Sequence, residues 1–166
     1  MKVALVTGGG SGIGRSAALE LNKIDFTVYV VGRREEELIK TSSLATNNNH
    51  KIIPIKTDIT IGSQVIALFD KIKSDHGRID LLFNNAGMGA PRVPIEDLKE
   101  EDWRKTVDVN LTGSFLCSQQ AIKLMKNQSP QGGRIVNNGS VSAHSPRPDT
   151  ICLLYTSDAA DERSCV

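Results

Sequence analysis

Residues 7–14, TGGGSGIG, carry glycines at a spacing suited to binding a phosphate group. Gly8, Gly12 and Gly14 fit a dinucleotide-binding turn, which needs a sharp bend, close backbone approach to a pyrophosphate, and tight packing of helix on strand. The helix that follows offers unpaired N–H groups and the positive end of its dipole. The spacing is G-x-x-x-G-x-G rather than G-x-G-x-x-G, and glycines also form ordinary turns. The loop therefore indicates a nucleotide site without establishing one.

Two arginines follow the second predicted strand, within the sequence VVGRREEE. A site that prefers NAD has a carboxylate here, about 20 residues past the glycine loop, to bind the ribose 2′-hydroxyl. Arg33 stands at that position and Arg34 follows it. A guanidinium group can bind a 2′-phosphate through two parallel hydrogen bonds. The pattern favours NADP(H) over NAD(H), unless both arginines are solvated or pair with the glutamates at 35–37.

The elements that must position these residues alternate between strand and helix. Apolar runs predict strands at residues 2–7, 26–32, 51–58, 78–87 and 132–140. Amphipathic spacing predicts helices after the glycine loop, at 34–46, at 59–76 and within 100–128. Such alternation is typical of an α/β protein with a Rossmann-like, doubly wound parallel sheet.

Length, charge and cysteine usage restrict the possible classes of protein. The chain has 166 residues and a net charge of +1, which fits one domain and gives no electrostatic case for nucleic acid or an anionic membrane. No apolar run is long enough to span a bilayer. Three widely spaced cysteines indicate reduced thiols and a cytoplasmic location. The three histidines do not pair with them at metal-ligand spacing, so we expect no metal.

From residue 1 to about 148, the chain resembles the N-terminal part of the short-chain dehydrogenase/reductase family. The loop TGGGSGIG matches the family's TGxxxGIG, and KTDIT, NNAG, VDVNLTG and RIVNNGS follow in the family's order. The resemblance implies that Asp58 meets the adenine and that Asn110 and Ser140 are catalytic. The coenzyme-binding residues it implies are Thr7, Gly8, Gly10, Ser11, Gly12, Ile13, Gly14, Arg33, Arg34, Asp58, Ile59, Asn84, Ala86 and Gly87.

The family's chemistry is hydride transfer between a nicotinamide and an alcohol or ketone carbon. By the resemblance, Ser140 would orient the substrate oxygen and Asn110 would anchor a water in the proton path. Taken singly, each motif residue has an ordinary interpretation. Asp58 could cap a helix, Asn84 could form a turn, Asn110 could kink a helix and Ser140 could lie in a loop. The ordered set favours the functional interpretation.

The family also uses a tyrosine with a lysine one helical turn later. A free phenol titrates near pH 10, so only about one molecule in a thousand is ionised at neutral pH without a neighbouring cation. Tyr155 is followed at i+4 by Ala159 and flanked by Asp158 and Asp161, which would raise a phenol pKa. We predict that Tyr155 is not catalytic. The family spacing puts the tyrosine near Leu153 instead.

Residues 152–162, CLLYTSDAADE, resemble the translation of a sequencing adapter from transposase-based library preparation. We therefore expect residues 1–151 to form an incomplete NAD(P)-binding domain, truncated after its fifth strand, and residues 152–166 to be an artefactual tail. A natural C-terminus of a shortened homologue is the alternative.

These expectations lead to an NAD(P)-dependent oxidoreductase of small-molecule substrates, present as a fragment that cannot turn over. A nucleotide-binding module without catalysis is the alternative, although it would have no use for Asn110 and Ser140. Residues 142–150, SAHSPRPDT, would border the substrate, which we expect to be a small alcohol, ketone, sugar or acyl carbonyl compound. The resemblance also implies that the full-length form is a homo-oligomer assembled through its long helices.

Overall fold

The computed structural model describes residues 1–140 and contains a five-stranded parallel sheet in the order β3-β2-β1-β4-β5. Tyr155, the segment 142–150 and the expected tail at 152–166 lie outside the described residues. The strands are β1 Lys2–Thr7, β2 Phe26–Gly32, β3 Ile52–Lys56, β4 Leu81–Asn84 and β5 Arg134–Asn137. The predicted α/β fold with a doubly wound sheet is confirmed.

Within residues 1–140, five α-helices connect the strands or flank them. They are α1 Gly12–Lys23, α2 Glu35–Ser43, α3 Gly62–His76, α4 Glu100–Val107 and α5 Gly113–Asn127. A single 3-10 turn, Ile95–Asp97, precedes α4. No helix within residues 1–140 is long and apolar enough to cross a membrane.

The central strands β1 and β2 are buried on both faces, so successive residues of β1 contribute to two separate cores. Val3 and Leu5 face a core formed with α3 and α5, whereas Ala4 and Val6 face a core formed with α1 and α2. This arrangement follows from the period of two along a strand, which sends neighbouring side chains to opposite faces. It also explains why β1 is a continuous apolar run and not an alternating one.

Three predicted helices differ from the observed ones, and the helix predicted at 34–46 spans only Glu35–Ser43. The helix predicted at 59–76 begins at Gly62, because the preceding residues form a turn in which the Ile61 N–H donates to the Asp58 carbonyl at 3.1 Å. Residues 100–128 do not form one regular helix. A π-helical segment, Asp108–Thr112, separates α4 from α5. Such widened turns often occur at functional positions.

The chain runs from β1 outward to β3, then returns to the other side of β1 to form β4 and β5. The direction in which successive strands are added to the sheet therefore reverses between β1 and β4. Because all strand pairs are parallel, the carboxyl ends of the five strands meet at one edge. Ligands of open α/β sheets bind at this edge beside such a reversal. Within the described residues β5 ends the sheet, as predicted, and Val136 is 39% exposed there.

Candidate functional site

The glycine loop joins β1 to α1 at the reversal of the sheet. Gly8 and Gly12 have φ angles of 65° and 52°, in the left-handed region that side chains disfavour. Gly14 is required by packing, since a Cβ there would lie 2.3 Å from the Gly8 carbonyl oxygen and 2.5 Å from Asn85 Nδ2. Backbone conformation therefore requires glycine at positions 8 and 12, and close packing requires it at position 14.

The N-terminus of α1 is open toward solvent and carries no acid in its first turn. The Ser11 side chain makes no capping hydrogen bond to it, and a Cβ on Gly12 would meet nothing within 4 Å. The first N–H groups of a helix have no intrahelical partner. The combination of free donors, a positive dipole end and empty space suits a phosphate group.

Thr7 ties the glycine loop to the turn after β4. Its side-chain oxygen accepts hydrogen bonds from the N–H groups of Asn85 and Ala86, both at 2.9 Å. The Asn85 side-chain amide donates back to the Thr7 carbonyl at 3.0 Å. Thr7 is only 1% exposed, so it acts from beneath the loop. These bonds fix the glycine loop and the loop after β4 relative to each other.

A cavity of about 300 Å³, here called the glycine-loop cavity, lies beside these loops. Most of its walls come from the residues directly after β1, β2, β3 and β4, as the meeting of parallel strand ends requires, and Glu37 and Leu38 of α2 and Val109 also line it. The predicted site residues that line it are Gly8, Gly10, Ser11, Arg33, Arg34, Asp58, Ile59, Ala86 and Gly87.

Arg33 and Arg34 supply the positive charge of the glycine-loop cavity. The Arg34 guanidinium donates to the Ser11 hydroxyl at 3.2 Å, which connects the end of β2 to the glycine loop. Neither arginine forms an ion pair within residues 1–140. Glu37 pairs instead with Arg15 and Lys40. The two arginines are thus left for another anion.

Asp58 stabilises the turn between β3 and α3. One of its carboxylate oxygens accepts from the Thr60 N–H at 3.0 Å and from the Thr60 hydroxyl at 2.7 Å. Its own N–H donates to the side-chain oxygen of Gln64 at 2.7 Å. Asp58 does not cap α3, whose N-cap residue is Ile61. The turn leaves Asp58 and Ile59 at the wall of the glycine-loop cavity.

A second cavity of about 800 Å³, here called the Asn110 cavity, adjoins the first. The two share the residues at 85–88 as a common wall. The predicted site residues that line the Asn110 cavity are Ile13, Asn84, Ala86, Gly87, Asn110 and Ser140. Gly12 and Gly14 line neither cavity, and Thr7 lies beneath both loops.

Asn110 lies in the π-helical segment and reaches the loop after β4. Its side-chain oxygen accepts from the Met88 N–H at 2.9 Å, and its amide nitrogen donates to the Met88 carbonyl at 2.8 Å. These paired bonds fix the loop that separates the two cavities. Asn110 thus lies at a helix irregularity and also lines the cavity.

Asn84 connects three elements beneath the Asn110 cavity. It is 4% exposed, and its amide nitrogen donates to the Ser118 hydroxyl of α5 at 3.0 Å and to the Asn137 side-chain oxygen of β5 at 2.9 Å. Its position is therefore set by tertiary contacts and not by a local turn.

Sequence reasoning missed Asn85 and Arg15. Asn85 lies inside the NNAG motif, and that motif was a sufficient signal to find it. Arg15 contacts the Gly10 carbonyl, the Thr41 hydroxyl at 3.0 Å and the Glu37 carboxylate at 2.8 Å. Those last two partners lie on another helix, so no local pattern marks Arg15. Within residues 1–140 no cluster of three or more His, Cys, Asp or Glu side chains could hold a metal ion.

Comparison with known proteins connects this geometry to one family. Residues 2–157 match the family described as short chain dehydrogenase. The chain is 38% identical over 158 residues to a 3beta-hydroxysteroid dehydrogenase of Mediterraneibacter gnavus, covering 95% of this chain and 56% of that protein. Other curated relatives include one from Gallus gallus, named dehydrogenase/reductase SDR family member 11, at 31% identity and 61% coverage of its length. The chain thus spans less than two thirds of the length of these curated relatives.

Solved structures share the fold at similar identity. An NAD+-bound xylitol dehydrogenase superposes with a TM-score of 0.87 at 30% identity, covering 96% of this chain and 60% of that one. A metagenomic short-chain oxidoreductase in complex with NADP gives 0.85 at 27% identity, covering 94% and 69%. Similar structures therefore include both an NAD and an NADP complex.

Proposed function

The chain belongs to the short-chain dehydrogenase family, and from that premise we propose that it derives from an NAD(P)-dependent oxidoreductase acting on an alcohol or ketone. The observation that carries this proposal is the joining of two cavities at the sheet reversal. The glycine-loop cavity suits a phosphate-bearing nucleotide, and the Asn110 cavity next to it is lined by Asn110 and Ser140. A bound nicotinamide coenzyme would supply or accept the hydride.

The residues of the glycine-loop cavity would bind the adenosine end of the coenzyme. The N–H groups at the start of α1 would donate to the pyrophosphate, and Gly12 leaves room for it. Asp58 and Ile59 would border the adenine. Thr7 would keep the glycine loop and the loop after β4 fixed relative to each other during binding, because its side-chain oxygen already accepts from the N–H groups of Asn85 and Ala86.

The preferred coenzyme in this proposal is NADP(H). Arg33 and Arg34 line the cavity without an acidic partner among the described residues, and a 2′-phosphate would provide one. A phosphate dianion is bound more favourably by guanidinium groups than by solvent-exposed backbone, because the hydrogen bonds are charge-assisted.

In the Asn110 cavity, the Ser140 hydroxyl would hold the substrate oxygen and Asn110 would fix the cavity wall through Met88. The reaction also needs a side chain that exchanges a proton with the substrate oxygen. Tyr29, the tyrosine within the described residues, is fully buried, and its hydroxyl donates to Asp75 at 2.6 Å. Burial, followed by that carboxylate, raises the pKa of Tyr29. We assign Tyr29 no part in proton transfer, because its side chain is buried, its hydroxyl is bonded to Asp75, and it lines neither cavity.

We therefore propose that the 166-residue chain binds the coenzyme but does not turn over. Neither Tyr29 nor Tyr155 has a lysine four residues later; Arg33 and Ala159 stand there. The source gene would continue past Ile151 into a Tyr-x-x-x-Lys helix. The complete protein would be a homo-oligomer, for which Phe115 and Ile122, 58% and 44% exposed on α5, offer an apolar face.

Two experiments test the proposed function. Calorimetric titration of the chain should show binding of NADP+ tighter than that of NAD+, with no NADPH-dependent ketone reduction. Sequencing the source locus past the codon for Ile151 should reveal Tyr-x-x-x-Lys, and the protein made from that longer frame should reduce ketones and lose most activity in Ser140→Ala. Coenzyme binding by a full-length protein that lacks Tyr-x-x-x-Lys would favour the non-catalytic module instead.

A further inference from the structure

Two acidic side chains, Asp58 and Glu37, share the glycine-loop cavity with the two arginines at the end of β2. Of the three consecutive glutamates at 35–37, Glu37 lines this cavity. Both of its carboxylate oxygens are occupied: one accepts from the Arg15 guanidinium at 2.8 Å and the other from the Lys40 ammonium at 2.6 Å. The negative charge of Glu37 is thus compensated by Arg15 and Lys40 at the wall of the cavity.

The two cations that pair with Glu37 differ in their exposure to solvent. The Arg15 and Glu37 side chains are 26% and 27% exposed, whereas that of Lys40 is 61% exposed. Arg15 is also held by the Gly10 carbonyl and the Thr41 hydroxyl, so its guanidinium is fixed in place. An ion pair on exposed lysine is screened and contributes little. The hydrogen bond from Lys40, followed by that from Arg15, lowers the pKa of Glu37. Arg15 is nevertheless the less exposed and the better fixed of the two cations, so solvent screens its charge less.

We infer that Arg15 is a specificity-determining positioning residue, which favours a 2′-phosphate by neutralising Glu37 beside it. The inference rests on the proposed binding of a nicotinamide coenzyme. A carboxylate near the end of the second strand is the group that selects a ribose 2′-hydroxyl in sites that prefer NAD. Without Arg15, only the exposed Lys40 would compensate Glu37, which would then repel a 2′-phosphate more strongly. Arg15 acts through Glu37 and not by touching the ligand.

A different role for Arg15 must be separated from this one. Arg15 could simply hold the glycine loop, because it binds the Gly10 carbonyl and shares Thr41 with the Gly9 carbonyl, which accepts from the Thr41 hydroxyl at 2.9 Å. Loss of that support would loosen the loop for every adenine nucleotide. Loss of charge compensation would affect only ligands that carry the 2′-phosphate.

The test compares 2′,5′-ADP with 5′-AMP, which differ only in the 2′-phosphate, by calorimetric titration of the full 166-residue chain. Arg15→Gln should weaken binding of 2′,5′-ADP about fivefold, the size expected for one uncompensated charge near a dianion in a partly screened site. It should change 5′-AMP binding by less than about twofold. Arg15→Lys should retain most of the discrimination because it keeps the charge. Lys40→Gln is the matched control and should have a smaller effect.

The decisive variant is the double substitution Arg15→Gln with Glu37→Gln. If Arg15 acts by charge compensation, removing the acid as well should restore 2′,5′-ADP binding to within about twofold of the unmodified chain. Equal weakening of both nucleotides by Arg15→Gln, or no recovery in the double variant, would overturn the inference while leaving the coenzyme proposal intact. An unmodified chain that binds 5′-AMP as tightly as 2′,5′-ADP would overturn the proposed NADP preference and the inference with it.

Discussion

At the residue scale, the hydroxyl of Thr7 makes an unusually concentrated set of contacts. One oxygen accepts from the Asn85 and Ala86 N–H groups and lies 3.4 Å from the Phe83 carbonyl, to which it can donate. Two backbone N–H groups would be left without a partner if that oxygen were removed. Thr7 therefore affects both the geometry of the binding loops and the stability of the fold.

We expect Thr7→Val to lower the free energy of unfolding by about 1–3 kcal/mol, the cost of leaving buried donors unsatisfied in a side chain of nearly equal shape. Urea denaturation followed by circular dichroism measures this. Thr7→Ser keeps the hydroxyl and should lose about 1 kcal/mol or less. A loss in Thr7→Ser with none in Thr7→Val would show that the methyl group, and not the hydrogen bonds, matters at this position.

Arg33 is the residue through which coenzyme preference can be tested most directly. It lines the glycine-loop cavity at the position where a carboxylate would select NAD. Arg33→Asp should shift the ratio of NADP+ to NAD+ affinities toward NAD+ by about tenfold or more, since it replaces an attractive charge with a repulsive one. Titration calorimetry with both coenzymes measures the ratio. An unchanged ratio would refute the role assigned to Arg33.

At the element scale, the contact between α1 and the glycine loop decides whether the helix N-terminus can face a phosphate. Gly14 lies on the buried side of α1, and the helix approaches the Gly8 carbonyl so closely that no Cβ fits between them. The helix therefore begins directly beneath the turn. Any larger residue would push α1 away from β1 and move its free N–H groups.

We expect Gly14→Ala to destabilise the protein by about 1–3 kcal/mol and to weaken adenine-nucleotide binding, because backbone must move to accommodate the methyl group. Gly62→Ala is the matched control. Gly62 likewise lies in the first turn of a helix, but a Cβ there would meet nothing within 4 Å. That control should be neutral or slightly stabilising in thermal unfolding. A neutral Gly14→Ala would mean that α1 and the loop are not held at this distance.

At the scale of the whole molecule, the end of the sheet opposite the cavities depends on Asp80. Its carboxylate accepts from the Val3 N–H at 2.8 Å and pairs with Arg78, while its carbonyl accepts from the Arg134 N–H at 2.9 Å. Asp80 thus connects β1, β4 and β5 near their amino ends. Burial alone would raise the pKa of Asp80, but the hydrogen bonds from Arg78 and Val3 outweigh it and lower the pKa below 3.8.

Because the pKa of Asp80 is lower in the folded protein than in the unfolded chain, its stabilising contribution is complete above about pH 4 and is lost as the pH falls through the folded-state value. We therefore expect the stability difference between the unmodified protein and Asp80→Asn to be constant near pH 5–7 and to shrink below about pH 4. Urea unfolding across that range measures it. Asp70→Asn, at an exposed position of α3, is the control and should parallel the unmodified protein. A difference that persists at the lowest pH would contradict the assignment.

Much of this protein was determined locally, and the sequence by itself was sufficient there. Residues 2–7 and 26–32 are strands because their apolar runs suit burial on both faces, and the alternation of strands with helices left the doubly wound sheet as the expected fold. The glycine spacing likewise indicated the binding turn, since positive φ angles and close packing are requirements of single positions.

Only the tertiary structure decided which distant side chains meet. Asn84 depends on Ser118 and Asn137, Asn110 on Met88, and Arg15 on Glu37, and each pair is separated by more than 20 residues. The sequence did not indicate the π-helical segment Asp108–Thr112 within the helix predicted at 100–128 either. Hydrogen bonds of this kind depend on how layers pack, and packing is a property of the whole sheet and its helices, which no short window of sequence contains.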